Sequence, residues 1–312
     1  MAPQTLVVLG GTGFVGSHLI PRLQADGHTI RVLSRNRELH RALGVLPRVT
    51  VVNADVYDRA ALVRQLAGAD AAINLVGILN ERGSNGRGFH KAHVELTETL
   101  LAACREAGVP RLLQMSALRA GEGDSFYLKT RGEAETLVRA SPLAWTIFRP
   151  SVIFGEGDGL FYRFAGLLRV APVLPLARAQ AKFAPVFVGD VAEAFARALV
   201  HRHTIGRTYE LAGPRKIALG ELVRWTAQMI GKRRWIVPLP DALGYLQALV
   251  GEWLPGKPIS RDNFRSLALD SVARDDGLAA LGIVATPMEL IVPALLAGDS
   301  HARRLDRLRA EY

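Results

Sequence analysis

The chain has one cysteine in 312 residues, which excludes an internal disulfide and any cysteine-rich metal site. Cys104 lies in the apolar helical pattern LTETLLAACREAG, where a small buried hydrophobe suits the position. Long apolar runs are also missing, and none approaches the roughly 20 residues that a membrane-spanning helix needs. The opening MAPQTLVVLGG passes from a short lead into a strand pattern, so no signal or transit peptide is expected. A cytoplasmic protein is expected, with any membrane contact peripheral and on the cytoplasmic face of the inner membrane. Negative charge is the scarcer sign, with 39 Lys and Arg against 29 Asp and Glu, a net charge of +10 and a pI near 10.2. That excess suits anionic lipid headgroups, an acidic protein surface or a phosphorylated ligand, or else an arginine-rich surface without a partner. Nucleic acid is not expected, because no basic run is interleaved with aromatics and no binding motif occurs. Nor is a metal, since His90 and His93 stand three apart on a helical pattern with no third or fourth ligand.

What is present, 49% apolar and 22% charged residues, is enough for one large or two modest domains around a substantial core. Segments 5–10, 29–35, 49–55, 70–77, 111–117 and 144–151 are rich in β-branched and aliphatic residues and close on Gly, Asp or Ser, as strands do. Helical spacing of apolar residues fills 14–25, 58–67, 91–107 and 127–140 between them. This alternation predicts an α/β protein with a Rossmann-type doubly wound parallel sheet, joined by right-handed crossovers, over residues 1–150. After Pro150 the pattern loosens. Residues 160–176 read as a helix ending before a proline-marked loop, 182–201 as a short strand feeding a helix, and 207–213 as another strand. From 219 two helix patterns flank the extended RRWIVPLP. Residues 151–312 are expected to form a smaller mixed α/β cover domain at the carboxyl ends of the sheet, where such folds bind ligands, with 183–213 partly returning to the first domain.

The stretch VVLGGTGFVGSHLI sets Gly10, Gly13 and Gly16 between the first strand and the first helix. Gly10 permits a tight turn, Gly13 lets the backbone approach a pyrophosphate, Gly16 lets helix and strand pack closely, and the helix start supplies N–H groups to phosphates. In this strand-turn-helix context the triplet predicts a dinucleotide site that includes Thr12, Phe14 and Val15. The second strand ends Leu33-Ser34-Arg35-Asn36-Arg37, with no acid before Glu38. NAD sites usually carry an acid there for the ribose 2′-hydroxyl, whereas arginine suits a 2′-phosphate, so Ser34 and Arg35 favour NADP(H) over NAD. Asp55 and Val56 after the third strand are placed at the adenine edge, and Asn74, Val76 and Gly77 after the fourth along the riboses.

With these residues the chain resembles the extended short-chain dehydrogenase/reductase superfamily. Within it the chain is most similar to the atypical branch of the NADPH-binding complex I accessory subunit, alpha-subcomplex subunit nine, and its bacterial relatives. The resemblance covers nearly the whole chain and rests on LGGTGFVG, NLVGIL, HKAHVELTETLLAACREAGV, FRPSVIFGEGDGLFYRFAGLLRVAPVLPL, APVFVGDVAEAF and LALDSVARDDGLAALGIVATPMELIVPALL. The last three are the most particular to the branch. It implies that Ser116 stands beside a substrate carbonyl, that Tyr127 is the proton donor, and that a lysine belongs at 131, while Pro150 and Ser151 bear on the nicotinamide. Position 131 is arginine. Lys129 lies about 200° around a helix from Tyr127 and cannot take its place without a register shift. Arg131 keeps the charge and can hold a ribose, but its planar fork stays protonated, which weakens the superfamily's proton relay.

Two functions follow. In one, the chain holds NADP(H) as an accessory or assembly subunit of a membrane respiratory or quinone-biosynthesis complex, with little or no turnover. In the other it is an NADP-dependent reductase, dehydrogenase or epimerase acting on a small carbonyl or a quinone/isoprenoid-type substrate. Three further features stay open. NERGSNGRG, 80–88, can be a lid or a docking loop. The helix 241–254 has a broad apolar side, with core packing expected first and an interfacial patch with Trp225 and Trp235 second. The tail 300–312 carries Arg303, Arg304, Arg307 and Arg309.

Overall fold

The computed structural model describes residues 2–40, 43–254 and 257–297; the basic tail lies outside the described residues. The chain divides into two compact units. The first takes Met1–Pro150, Gly189–Leu211 and Ala273–Val284, and the second Ser151–Val188, Ala212–Val272 and Ala285–Tyr312.

In chain order the first unit runs β1 (Thr5–Leu9), α1 (Phe14–Ala25), β2 (Thr29–Ser34), β3 (Val49–Asn53), α2 (Arg59–Leu66), β4 (Ala71–Asn74), α3 (Arg87–His90), α4 (Leu96–Ala107), β5 (Arg111–Met115), α5 (Phe126–Ala140) and β6 (Ala144–Pro150). The second half continues β7 (Ile153–Phe154), α6 (Phe161–Val170), β8 (Val173–Ala177), β9 (Lys182–Phe183), β10 (Val186–Phe187), α7 (Val188–Val200), β11 (Arg207–Leu211), β12 (Ile217–Ala218), α8 (Leu219–Met229), β13 (Trp235–Leu239), α9 (Asp241–Gly251), α10 (Arg261–Ser266) and α11 (Gly277–Ala280).

Seven strands form one parallel sheet in the order β11-β6-β5-β4-β1-β2-β3. The order reverses between β1 and β4, which makes that point the ligand crevice of a doubly wound sheet. β1, β4 and β5 are buried along nearly their whole length, as strands covered on both faces must be. Leu9 is in register with both Leu33 and Asn74, and Asn74 with Gln114, so the loops that follow β1, β2, β4 and β5 leave the sheet at one edge. Helices start where a side chain satisfies the first turn: Asp58 accepts from Ala61 N–H before α2, and Ser125 from Leu128 N–H before α5. Gly13 before α1 offers no side chain at all. Between α3 and α4 the backbone makes a π turn over Lys91–Glu95.

The second unit is built of three two-stranded pairs, β7 with β10, β9 with β12 and β8 with β13, and of helices around small apolar clusters. Phe154, Phe161, Leu222 and Val292 are fully or nearly fully buried in one of them, with Trp225 edge-on to Phe161 at 6.0 Å. The helix expected over 160–176 ends at Val170, and Val173–Ala177 form the strand β8, parallel to β13 and carrying Pro175. A two-stranded pair has only edges, and an edge tolerates a residue without an N–H. Trp225, half-buried, packs against the Phe161 cluster.

Candidate functional site

The glycine turn is shaped first by the protein itself. Gly10 has φ +74°, and a Cβ there would stand 3.0 Å from Leu75 C and Val76 N, so the turn after β1 rests directly on the loop after β4. A Cβ on Gly16 would collide with the backbone of Gly11. Gly13 differs. Apart from its chain neighbours, a Cβ there would find only Gly10 O, at 3.3 Å, within 4 Å. Protein packing therefore gives a weak reason for glycine at 13, whereas a ligand lying against the backbone gives a strong one. The first turn of α1 carries no acidic residue and no side-chain cap, which leaves the positive end of the helix to an anion. Half-buried Thr12, Phe14 and Val15 complete the turn, with the Phe14 ring edge-on to His18 at 5.7 Å.

At the end of β2, Ser34 is buried and its Oγ accepts from Asn36 N–H at 3.2 Å. Arg37 is ion-paired to Glu38 at 3.0 Å, and its N–H donates to Asn53 Oδ1. Arg35 is exposed and has no ion pair among the described residues. Asp55 is exposed and accepts from Tyr57 N–H at 3.0 Å, so it shapes the turn that also carries Val56. Asn74 is buried between its neighbours: Nδ2 donates to Gln114 Oε1 at 3.1 Å and Oδ1 accepts from Val76 N–H at 3.1 Å. The side chain of Asn74 thus sets the path of the loop, and the loop backbone of Val76 and Gly77 is what reaches the strand ends.

Arg131 is buried where those strand ends meet. Its Nη1 donates to Met115 O at 3.0 Å and Val76 O at 3.3 Å, tying the ends of β4 and β5 together. Its Nη2 fills the space that a Cβ of Gly77 would need. Its Nε is buried with no hydrogen-bond partner. The guanidinium carbon stands 5.6 Å from the centre of the Tyr127 ring one turn earlier on α5. Lys129 points elsewhere, exposed and 3.3 Å from Asp124.

Tyr127 is walled by two side chains, Phe89 of α3 at 6.0 Å and His93 of the π turn at 5.6 Å, both edge-on. His93 is buried, and burial first and the charge of Arg131 second push its pKa down to about 2, so the ring is neutral. Its tautomer follows from the network. Thr130 Oγ1 donates its one proton to Phe126 O at 2.8 Å, so it accepts from His93 Nδ1–H at 2.9 Å. Nε2 then carries only a lone pair, and it has no partner. The residues around Tyr127 therefore present an unused donor, Arg131 Nε, and an unused acceptor, His93 Nε2. Buried polar groups in folded proteins rarely go unpaired. A polyhydroxylated group such as a ribose supplies both the acceptor and the donor that these two require.

Ser116 is buried and its Oγ donates to Glu135 Oε1 at 2.6 Å. Pro150 closes β6 with its carbonyl accepting from Leu118 N–H, and the chain passes to the second unit after it. There Ser151 Oγ donates to Ser271 O at 2.7 Å and accepts from Ala184 N–H. The 80–88 loop is folded around a buried carboxylate, with Glu81 accepting from Gly86 N–H at 2.7 Å and Gly88 N–H at 2.8 Å. His90 is exposed against Glu95 and does not converge with His93. Among the described residues no group of three or more His, Cys, Asp or Glu is placed to hold a metal ion, and no helix is long and apolar enough to cross a membrane. Sequence reasoning missed His93 as a wall of the tyrosine pocket and Glu135 as the partner of Ser116.

Known proteins share both the sequence and the fold. A family model described as NAD(P)H-binding matches residues 10–165. The chain is 27% identical over 296 residues to mouse (Mus musculus) NADH dehydrogenase [ubiquinone] 1 alpha subcomplex subunit 9, mitochondrial, covering 91% of this chain and 77% of that one. It is 32% identical over 256 residues to ceramide reductase of Caulobacter vibrioides, covering 80% and 78%. In structure it superposes on the NADPH-dependent quinone oxidoreductase of Escherichia coli complexed with NADPH, with a TM-score of 0.75 and 21% identity over 95% of this chain and 99% of that one. The match across half the length, on the glycine turn and the parallel strands that follow it, shows that this chain belongs to the NAD(P)H-binding family.

Proposed function

We propose that the protein holds NADP(H), in preference to NAD, as an accessory or assembly subunit of a quinone-linked respiratory complex and turns it over slowly or not at all. The observation that carries this reading is Arg131. A guanidinium stands where a proton relay needs an ammonium, and it is held by the carbonyls of Val76 and Met115. The planar guanidinium fork differs in reach and shape from the ammonium that the relay uses. The glycine turn would take the pyrophosphate, Arg35 the 2′-phosphate, and Arg131 Nε with His93 Nε2 the hydroxyls of the nicotinamide ribose. When bound, the nicotinamide supplies hydride chemistry. The similarity to the alpha subcomplex subunit supports the accessory role.

A second reading, an NADP-dependent reductase of a carbonyl or quinone/isoprenoid-type substrate, is supported by the similarity to a ceramide reductase and by the placement of Tyr127 one turn from a fixed cation. One experiment separates the two. Protein purified with NADPH is incubated repeatedly with carbonyl and quinone acceptors while the absorbance of the reduced nicotinamide is followed. Persistence of that absorbance is the expected result. Its decay with any acceptor, abolished by Tyr127→Phe, sinks the accessory reading in favour of the reductase. Arg131→Lys should leave NADPH affinity within about tenfold, a change of about 1.4 kcal/mol.

A further inference from the structure

α9 is built inside out. Its small residues Gly244, Ala248 and Gly251 face the protein: a Cβ on Gly244 would lie 2.9 Å from the Phe264 ring and 3.0 Å from Ala177, and one on Gly251 2.6 Å from Ile259 O. Gln247 fixes the helix to the edge of β8, accepting from Ala177 N–H at 3.1 Å and donating to Pro175 O at 2.8 Å. The large residues Leu243, Leu246 and Val250 of α9, and Trp253 and Leu254 in the turn just after it, lie on the solvent side, with Trp253 86% exposed. Core packing, expected for these residues from the sequence, is thus reversed.

The stripe does not stand alone. In the β8–β13 pair Leu174 and Ile236 pack inward, which turns Val173 and Trp235, opposite one another in the register, to the outside with Val237. Trp235 is 76% exposed, and Val170 at the end of α6 is 85% exposed. Arg234 closes the patch by donating to the carbonyls of Leu168 and Arg169, joining the end of α6 to the start of β13.

Charge around the patch has one uncompensated sign. Its carboxylates are neutralised, Asp241 by Arg178 at 3.1 Å and Glu252 by Arg261 at 2.9 Å. Lys232 and Arg233, next to Trp235, are exposed and have no ion pair among the described residues. We propose that this face of the second unit, α9 with β13 and β8, docks on the interfacial region of a membrane that carries anionic lipid. Exposed tryptophans, an aliphatic stripe and a cationic edge are the combination that enters the headgroup boundary, where the indole keeps its N–H wet and its ring buried. Each cation at the surface adds attraction to anionic headgroups. A protein interface, by contrast, is depleted in lysine. None of these residues belongs to the nucleotide site.

The test is co-flotation of the full chain with vesicles of phosphatidylcholine alone and of phosphatidylcholine mixed with phosphatidylglycerol, with tryptophan emission recorded in parallel. Binding to the mixed vesicles, with a blue shift and a loss of binding at high salt, is expected. Lys232→Gln with Arg233→Gln should weaken that binding about thirtyfold, and Trp235→Ser with Trp253→Ser should abolish it. All four side chains are solvent-exposed, so unchanged melting temperatures are expected for the variants. Failure to bind the mixed vesicles, or equal binding to both vesicle types, overturns the proposal. So does a stable dimer that the tryptophan double variant converts to monomer, which would make the face a contact between copies.

Discussion

Two successive turns on one side of α5 solve opposite problems. At the first, Arg131 leaves Nε unpaired, and His93, whose ring meets the same Tyr127 ring, leaves Nε2 unpaired. At the second, Glu135 is saturated: Oε1 accepts from Ser116 and Arg149 Nε, and Oε2 from Arg149 Nη2 at 2.6 Å and Arg139 at 2.7 Å. A buried carboxylate with every oxygen engaged is a structural element, complete without a ligand. A buried donor and acceptor left open are a binding element, complete only with one. If this contrast holds, Glu135→Ala acts on stability. It removes a fully buried partner from half-buried Arg149 and from Ser116, and the loss should be about 3 kcal/mol in denaturant unfolding at unchanged m-value. A loss below about 1 kcal/mol would mean that the network is dispensable.

The same contrast marks what could be read in the sequence. The sheet, the glycine turn and the Tyr127–Arg131 pairing are local patterns: apolar runs of strand length, glycines at a strand-to-helix turn, residues four apart on a helix. The Ser116–Glu135–Arg149 network joins residues from β5, α5 and β6 whose adjacency is created only by strand order, and no spacing announces it. His93 was legible only as a neighbour of His90. The π turn over 91–95 adds a residue to the turn, rotating His93 inward while His90 stays in solvent, and π turns have no simple sequence signature. β8 was hidden because the apolar run through 160–176 reads as one helix, and the outward stripe of α9 by the rule that apolar helix faces pack inward.

A smaller effect tests the open half of the comparison through pH. His93 has a folded-state pKa of about 2 against an ordinary 6.5. Below 6.5 the unfolded chain binds a proton that the folded one refuses, so the stability associated with this residue is fully present above 6.5 and is lost progressively as pH falls toward 2. Between roughly pH 7.5 and roughly pH 5.5 the loss should be about 1.4 kcal/mol. His93→Asn cannot titrate and should lack that slope, read as the difference between the unfolding free energies of the two proteins at each pH. Parallel pH profiles would show that His93 is not held neutral.

The smallest effect belongs to the lysine that stands nearest the missing one. Lys129 is two residues before Arg131, and its ammonium meets Asp124 at 3.3 Å with both side chains in solvent. Exposed pairs of this kind contribute about 0.5 kcal/mol or less. A residue two places along a helix from Tyr127 faces away from it, and the cation beside the tyrosine ring is Arg131, 5.6 Å from its centre. Lys129→Ala should therefore leave stability within about 0.5 kcal/mol and NADPH affinity within about twofold. A tenfold loss of affinity on this substitution would place Lys129 on the nucleotide after all. The helix register that makes Arg131 the cation of the site would then be wrong, and with it the reason for expecting a nucleotide that is held and not turned over.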